Sequence, residues 1–239
     1  MAQQNGASNN RWITESYPDC RGDINESISF SGLTADFFTK GKAAALISII
    51  DHAMSNSRGR TCLDIGCGPG DIHSFLAGNV GKLVGVDVSS EAVEKASSSN
   101  PTVDYLSYDG KTLPFADSTF DAAYTICVIH HVPPSQWARF AAEAFRIIRP
   151  GGIFVVFEHN PWNPLTRLAV NRCAFDHDAV LLNVGTARRL LSNAGFAEVT
   201  SRFIFFTPFQ GRLGKIIDRV FGRLPLGAQY YSWGRRPGQ

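Results

Sequence analysis

Apolar and polar positions change their period several times along the chain, and each change marks an element. Between Thr34 and Met54, Phe37, Phe38, Ala44, Ala45, Ile47, Ile50 and Ala53 fall on one broad helical face, which predicts a helix ahead of the first strand. Short apolar runs of strand length follow at Thr61 to Ile65, Leu83 to Val88, Val103 to Ser107, Phe120 to Ile129 and Ile153 to Glu158. Helical patterns fit between them at Asp71 to Gly78, Ser89 to Ser98 and Ser135 to Ile148, with Asp71 and Ser89 as expected N-caps. Alternation of this kind implies an α/β fold: a parallel, doubly wound sheet with helices on both faces and right-handed crossovers. After Asn160 the rhythm breaks at Pro161 and Pro164, and an irregular stretch is expected to reach Val184, in the role of a lid or substrate loop. Thr186 to Asn193 then reads as a helix ended by Gly195, Val199 to Phe206 as a strand, and Gln229 to Trp233 as the last strand.

Composition narrows this picture. A chain of 239 residues with 44% hydrophobic content supports one α/β domain with a large core, and a second full domain is not expected. There is no apolar run of membrane-spanning length, and the polar start to about Asn10 lacks a signal-peptide pattern and reads as disordered; a cytoplasmic protein is expected. The five cysteines are scattered without a C-x-x-C pair, and most are expected to be buried thiols. A net charge of +2 argues against a general nucleic-acid binder. The charge is uneven, however. From Phe209 to Leu224, Phe209, Leu213, Ile216, Ile217, Val220, Phe221 and Leu224 keep helical spacing opposite Arg212, Lys215, Arg219 and Arg223. Such a basic amphipathic helix usually packs as core, here on the sheet between the last two strands. The sharper alternative is that it lies against a membrane surface or a lipid-linked, phosphate-bearing acceptor.

The most informative stretch is Leu63-Asp64-Ile65-Gly66-Cys67-Gly68-Pro69-Gly70-Asp71, where three glycines at alternate positions follow an apolar run. Glycine permits a sharp strand-to-helix turn and close approach of a ligand to the backbone, and the spacing is tighter than the G-x-G-x-x-G of dinucleotide folds. Asp87 ends the next strand, Lys82-Leu83-Val84-Gly85-Val86-Asp87-Val88. In isolation Asp64 and Asp87 are strand terminators and Asp109-Gly110 is a turn pair. They do not stand in isolation: Tyr108-Asp109-Gly110-Lys111-Thr112-Leu113-Pro114-Phe115, Ser118-Thr119-Phe120-Asp121-Ala122-Ala123, Ile129-His130-His131-Val132 and Arg146-Ile147-Ile148-Arg149-Pro150-Gly151-Gly152 follow in order. With these motifs the chain resembles, from about Phe37 to Gly195, the class I S-adenosylmethionine-dependent methyltransferases, in the group that includes the ubiquinone/menaquinone methyltransferases.

That resemblance implies a Rossmann-like seven-stranded sheet with an antiparallel last strand. The methyltransferase domain would run over 34–239, after an N-terminal tail and extension at 1–33, with 161–184 as a substrate loop and 207–225 as an amphipathic insertion. It implies S-adenosylmethionine as cofactor: backbone around Gly66, Gly68 and Gly70 against its methionine and ribose parts, Asp64 near its amino end, and Asp87 accepting from both ribose hydroxyls. Asp109 would accept from the adenine amino group, with Gly110 backbone at the ring edge and Cys127 backbone at the methionine part. Cys67 and Val88 fall within the same cofactor-binding stretches, the Cys67 thiol being read as structural.

Transfer of a methyl group from a sulfonium needs mainly orientation and exclusion of water. An oxygen acceptor must also lose a proton. His131, after the fourth strand, and His159, after the fifth, lie where the ligand crevice of a parallel sheet opens, and they are the candidate bases. A structural or cofactor-side role for His130-His131 stays open, because the pair is common in the family across unlike substrates. Asp176-His177-Asp178 resembles a metal cluster only superficially and reads as a capping or loop segment, because nothing else supplies a full ligand set; no metal is expected. The segment Glu158 to Arg167 resembles a bacterial subgroup associated with glycan or polysaccharide pathways. The function implied is methyl transfer to a small-molecule, lipid-linked or glycan acceptor, with oxygen favoured because hydroxyls dominate such acceptors. Two rivals stand beside it. One is a catalytically silent scaffold that kept the fold. The other is an NAD(P)-dependent oxidoreductase, which leaves Leu113-Pro114-Phe115 and Pro150-Gly151-Gly152 unexplained. Oligomeric state is not legible.

Overall fold

The computed structural model describes residues 20–208 and 211–238. The expected N-terminal tail to Asn10, and Phe209 at the start of the amphipathic stretch, lie outside the described residues. Seven strands form one sheet in the order β3-β2-β1-β4-β5-β7-β6. They are β1 (Thr61–Ile65), β2 (Lys82–Asp87), β3 (Asp104–Ser107), β4 (Phe120–Ile126), β5 (Ile148–His159), β6 (Ala197–Ile204) and β7 (Gln229–Arg235). The first five pair in parallel, while β7 runs antiparallel between β5 and β6. The order reverses between β1 and β4, and at such a switch point the carboxyl ends of the strands open a crevice.

Side chains leave successive strand residues on opposite faces, and the core divides accordingly. On one face Leu63, Ile65, Val84 and Val86 pack with Ala144 and Ile147 of α5 (Trp137–Ile147) and Leu191 of α7 (Val184–Asn193). On the other, Cys62, Tyr124, Val155 and Phe157 pack with Leu46, Ile49 and Ile50 of α2 (Ala35–Met54). From Ile153 to Phe157 every residue of β5 is fully buried, so a central strand covered on both sides reads as a continuous apolar run. The four described cysteines with a described side chain, Cys62, Cys67, Cys127 and Cys173, are free thiols.

Three stretches depart from the sequence expectation. The irregular stretch from Asn160 to Val184 contains a helix, α6 (Pro164–Arg172). Pro164 occupies its first turn, where no N–H is needed, and Asn163 Oδ1 caps it by accepting from Leu165 and Thr166 N–H, both at 3.0 Å. The helix expected from Asp71 shrinks to α3 (His73–Leu76), and Asp71 does not cap it, since the glycine loop delays the first helical residue. Ahead of α2 an additional helix, α1 (Cys20–Ser27), lies against α6, and Asn25 Oδ1 accepts from Ala35 N–H at 2.8 Å. Ser89, by contrast, caps α4 (Ser90–Ser99) as expected. The amphipathic stretch forms α8 (Arg212–Phe221) between β6 and β7, but its apolar residues Leu213, Ile216, Val220 and Phe221 are exposed. It is not a core helix.

Candidate active site

The glycine loop links β1 to α3 and is held from below by β2: Gly66 and Cys67 N–H both donate to Val86 O, at 2.8 and 3.0 Å. Gly66, Gly68 and Gly70 all have positive φ. At Gly66 a Cβ would lie 2.5 Å from Val128 Cγ2, so only glycine lets the loop close on the turn after β4. Asp87 ties β2 to this loop, with Oδ2 accepting from Gly68 N–H (2.8 Å) and Oδ1 from Ser89 N–H (3.0 Å). Each oxygen keeps a second lone pair for a ligand hydroxyl. Burial raises the Asp87 carboxyl above its ordinary range, against those two hydrogen bonds. Asp109 is exposed; its Oδ1 accepts from Lys111 and Thr112 N–H, and these bonds hold its carboxyl below the ordinary range. Gly110 follows at φ +71, against Val88. Asp64 is buried, its Oδ2 3.0 Å from His73 Nε2 and its Oδ1 without a hydrogen-bond partner among the described residues. His73 Nδ1 in turn meets Tyr105 Oη at 2.5 Å, so this chain of polar groups braces the underside of the loop.

A second group of residues gathers at the carboxyl ends of β4 and β5. Cys127, at φ +57, turns the chain out of β4, and a single helical turn, Ile129–His131, carries the histidine pair. His130 Nδ1 lies 2.6 Å from Glu158 Oε2, and Glu158 Oε1 accepts from Ile129 N–H at 2.9 Å; both side chains are buried. Asp176 arrives from the turn Ala174–Asp176, with Oδ1 3.5 Å from His130 Nε2 and 3.4 Å from His131 Nε2. Burial lowers the His130 imidazole, but Glu158 and Asp176 outweigh it and hold the ring well above its ordinary value. Burial keeps His131 below its ordinary value and brings His159 down to about 4, the neighbouring His130 adding to the effect at His159. Glu158 and Asp176 thus favour the charged form of the His130 imidazole, and burial favours the neutral forms of His131 and His159. Lys42 of α2 reaches the same end of the sheet, its Nζ 3.9 Å from Cys127 Sγ, and Gln229 Nε2 lies 3.3 Å from His159 Nδ1.

The structure thus brings Gly66, Gly68, Gly70, Asp87 and Val88 to one side of the switch point and His131 and His159 to the other, with Cys127 between them. Asp109 and Gly110 extend the first side, Gly110 lying against Val88. Sequence reading singled out none of Lys42, Glu158, Asp176 and Gln229 as site residues. Glu158 and Asp176 carried a local signal, an acid beside a histidine, but their partners lie far along the chain.

A family model described as a methyltransferase domain matches residues 63–156. An uncharacterized methyltransferase of Synechocystis is 31% identical over 147 residues, covering 60% of this chain and 69% of that protein. A 2-methyl-6-phytyl-1,4-hydroquinone methyltransferase, also of Synechocystis, is 35% identical over 106 residues, 43% of this chain and 33% of that one. The chain spans between half and about two thirds of the length of the first relatives it matches, and a third of the hydroquinone enzyme. Among solved structures, a SAM-dependent methyltransferase from Archaeoglobus fulgidus superposes with a TM-score of 0.59 at 15% identity, over 81% of this chain and 94% of the other, a likeness of fold. Ordered motifs, sheet topology and these relatives agree: the chain belongs to the class I S-adenosylmethionine-dependent methyltransferases.

Proposed function

We propose that the chain transfers the methyl group of S-adenosylmethionine to an oxygen of a lipid-linked acceptor held at an anionic membrane surface. The observation that carries this reading is α8. Leu213, Ile216 and Val220 are 60%, 56% and 65% exposed, and Arg212, Arg219 and Arg223 are exposed beside them. The apolar surface continues past the helix. Leu224 and Leu226 are exposed in the loop after α8, and Trp162 and Leu165 at the start of α6. Hydrogen bonds tie the two segments together: Asn163 Nδ2 donates to Leu226 O (2.7 Å) and Asn160 Nδ2 to Pro225 O (3.0 Å). Burying one such aliphatic side chain in lipid yields about 1.5–3 kcal/mol, and each arginine near an anionic surface adds about 1 kcal/mol. Among the described residues no helix is long and apolar enough to cross a membrane, so the contact is interfacial. The hydroquinone methyltransferase among the relatives has a phytyl-bearing acceptor in its name, in keeping with a lipid-linked substrate.

Oxygen is favoured because the histidine cluster offers somewhere for its proton to go. The bond formed is O–CH3, the bond broken is S–CH3 with its electron pair returning to sulfur, and the hydroxyl proton leaves toward the neutral imidazoles or water. Cosedimentation with anionic and with zwitterionic vesicles tests the surface. Binding to anionic vesicles is expected, with a drop of tenfold or more when Arg212, Lys215, Arg219 and Arg223 become Gln and a similar drop for Ile216→Ser with Val220→Ser. Vesicle binding unaffected by either set overturns the reading. So does a concentration-dependent dimer that the Ile216→Ser and Val220→Ser pair dissociates, with no vesicle binding by the wild type.

A further inference from the structure

We propose that His130 Nε2, His131 Nε2 and Asp176 Oδ1 are the protein ligands of a divalent transition-metal ion. The three donors come from two separate turns and lie within 4.8 Å of one another. Asp176 Oδ1 is 3.5 Å from the first nitrogen and 3.4 Å from the second. Both separations are longer than a charge-assisted hydrogen bond from imidazolium to carboxylate, about 2.7–2.9 Å. His130 Nε2 is buried and makes no hydrogen bond; an ion bound there would replace the Nε2 proton, while Nδ1 keeps its contact with Glu158 Oε2. The two separations from Asp176 Oδ1 are close to the edge of a tetrahedron around an ion bound at about 2.0–2.1 Å, which is about 3.3–3.4 Å.

The surroundings of the three donors are those of a ligand set. Glu158 Oε2 takes the far nitrogen of His130 at 2.6 Å and is itself fixed by Ile129 N–H at 2.9 Å. A carboxylate in that position sets the tautomer and aim of a ligating imidazole. Val180 N–H donates to His130 O at 2.8 Å, so backbone also closes the Asp176 segment onto the histidines. Two imidazoles and one carboxylate select an ion of the Zn2+ or Fe2+ kind over Mg2+ or Ca2+, and three protein ligands leave a position open. Asp176 also lines a cavity of about 610 Å3 with Arg167, Cys173 and His177, large enough to admit part of a substrate.

The role given to the ion rests on methyl transfer to oxygen as proposed above. An acceptor hydroxyl at the open position loses its proton more readily, and the resulting oxygen attacks the methyl group as written there. His131 then acts as a ligand, and water takes the proton.

The test uses the full chain, freed of metal with a chelator and titrated with CoCl2 while visible absorption is followed. One equivalent of Co2+ is expected to bind with the intense d–d bands of a four- or five-coordinate site, to be displaced by Zn2+, and to be lost in Asp176→Asn and in His131→Ala. Should either variant fail to fold, the wild type alone decides: the same bands and a rise in Tm with Zn2+ support the site. Only the weak absorption of hydrated Co2+ with wild-type chain overturns it. Calorimetric titration of S-adenosylmethionine into the metal-free chain separates the two readings. Cofactor binding without cobalt bands leaves the methyltransferase reading and removes the metal, and the converse leaves the metal site and removes the cofactor assignment.

Discussion

Asp87 is a buried carboxyl whose ionisation ties the stability of the chain to pH. Burial raises its pKa above the ordinary 3.8. Between 3.8 and that raised value the native chain keeps a proton the unfolded chain has released, so the ionised form costs stability as pH rises through the window. Two ribose hydroxyls donating to the carboxylate would favour the ionised form and offset that cost. The rise in Tm produced by S-adenosylmethionine is therefore expected to shrink as pH falls from about 7.5 toward 4.5, and in Asp87→Asn to be small and independent of pH. Scanning fluorimetry at fixed ligand reads this, and a wild-type shift that stays flat argues against ribose at Asp87. Gly66 carries the second prediction at this scale. Alanine there brings a Cβ to 2.5 Å from Val128 Cγ2 at φ +80, and about 1–3 kcal/mol of stability is expected to go in urea unfolding. Adding Val128→Ala should return the part due to the clash and leave the part due to φ. These two residues were legible because alternate glycines after an apolar run and an acid at a strand end are local signals, although their partners Val128 and Gly68 lie in other segments. Lys42 and Asp176 were not, because α2 and the Ala174–Asp176 turn meet β4 and β5 only in the folded sheet.

At the scale of elements, α6 and the loop after α8 behave as one unit. Asn160 donates to Pro225 O at 3.0 Å and Gly227 O at 2.8 Å, while its own Oδ1 accepts from Trp162 N–H at 3.1 Å. Asn160 is fully buried, so Asn160→Ala leaves two carbonyls short of partners and is expected to cost about 1–3 kcal/mol. Vesicle binding should fall with it, because the loop that carries Leu224 and Leu226 loses two of its ties to the segment before α6. Asn163→Ala removes the cap of α6 and is expected to cost about 0.5–2 kcal/mol by urea unfolding. Equal stabilities of wild type and both variants would leave the joint unit without support. Pro164 explains why α6 was hidden in the sequence: the same residue breaks a helix from within and starts one at its first turn. α8 was legible as an amphipathic helix, yet its pattern alone did not say whether the apolar side meets the sheet or solvent. Spacing records periodicity, and the neighbour is set by how β6 and β7 lie.

At the scale of the molecule, the alternation of strands and helices up to His159 gave the parallel half, since each βα unit buries its own apolar face as it forms. The position of β7 left no such local trace. It enters between β5 and β6, so β6 reaches the sheet only through it. Its end also clamps earlier elements: Arg236 Nη1 donates to Phe145, Arg146 and Ile148 O, and Arg235 Nη2 to Ala53 O at 2.8 Å. Tyr230, fully buried, donates from Oη to Leu182 O at 3.0 Å and so pins the segment before α7. A chain ending at Leu226 therefore loses more than one strand. It exposes the β5 edge over Ile153 to His159, leaves β6 unpaired and frees the carbonyls held by the two arginines. Such a chain is expected to unfold without a cooperative transition in urea and to bind a hydrophobic dye, with helical content largely kept. Tyr230→Phe in the full chain should keep cooperativity and lose about 1–3 kcal/mol. A truncated chain that unfolds cooperatively near the wild-type midpoint would mean that the five parallel strands are stable by themselves, and that β7 serves α8 and the acceptor side alone.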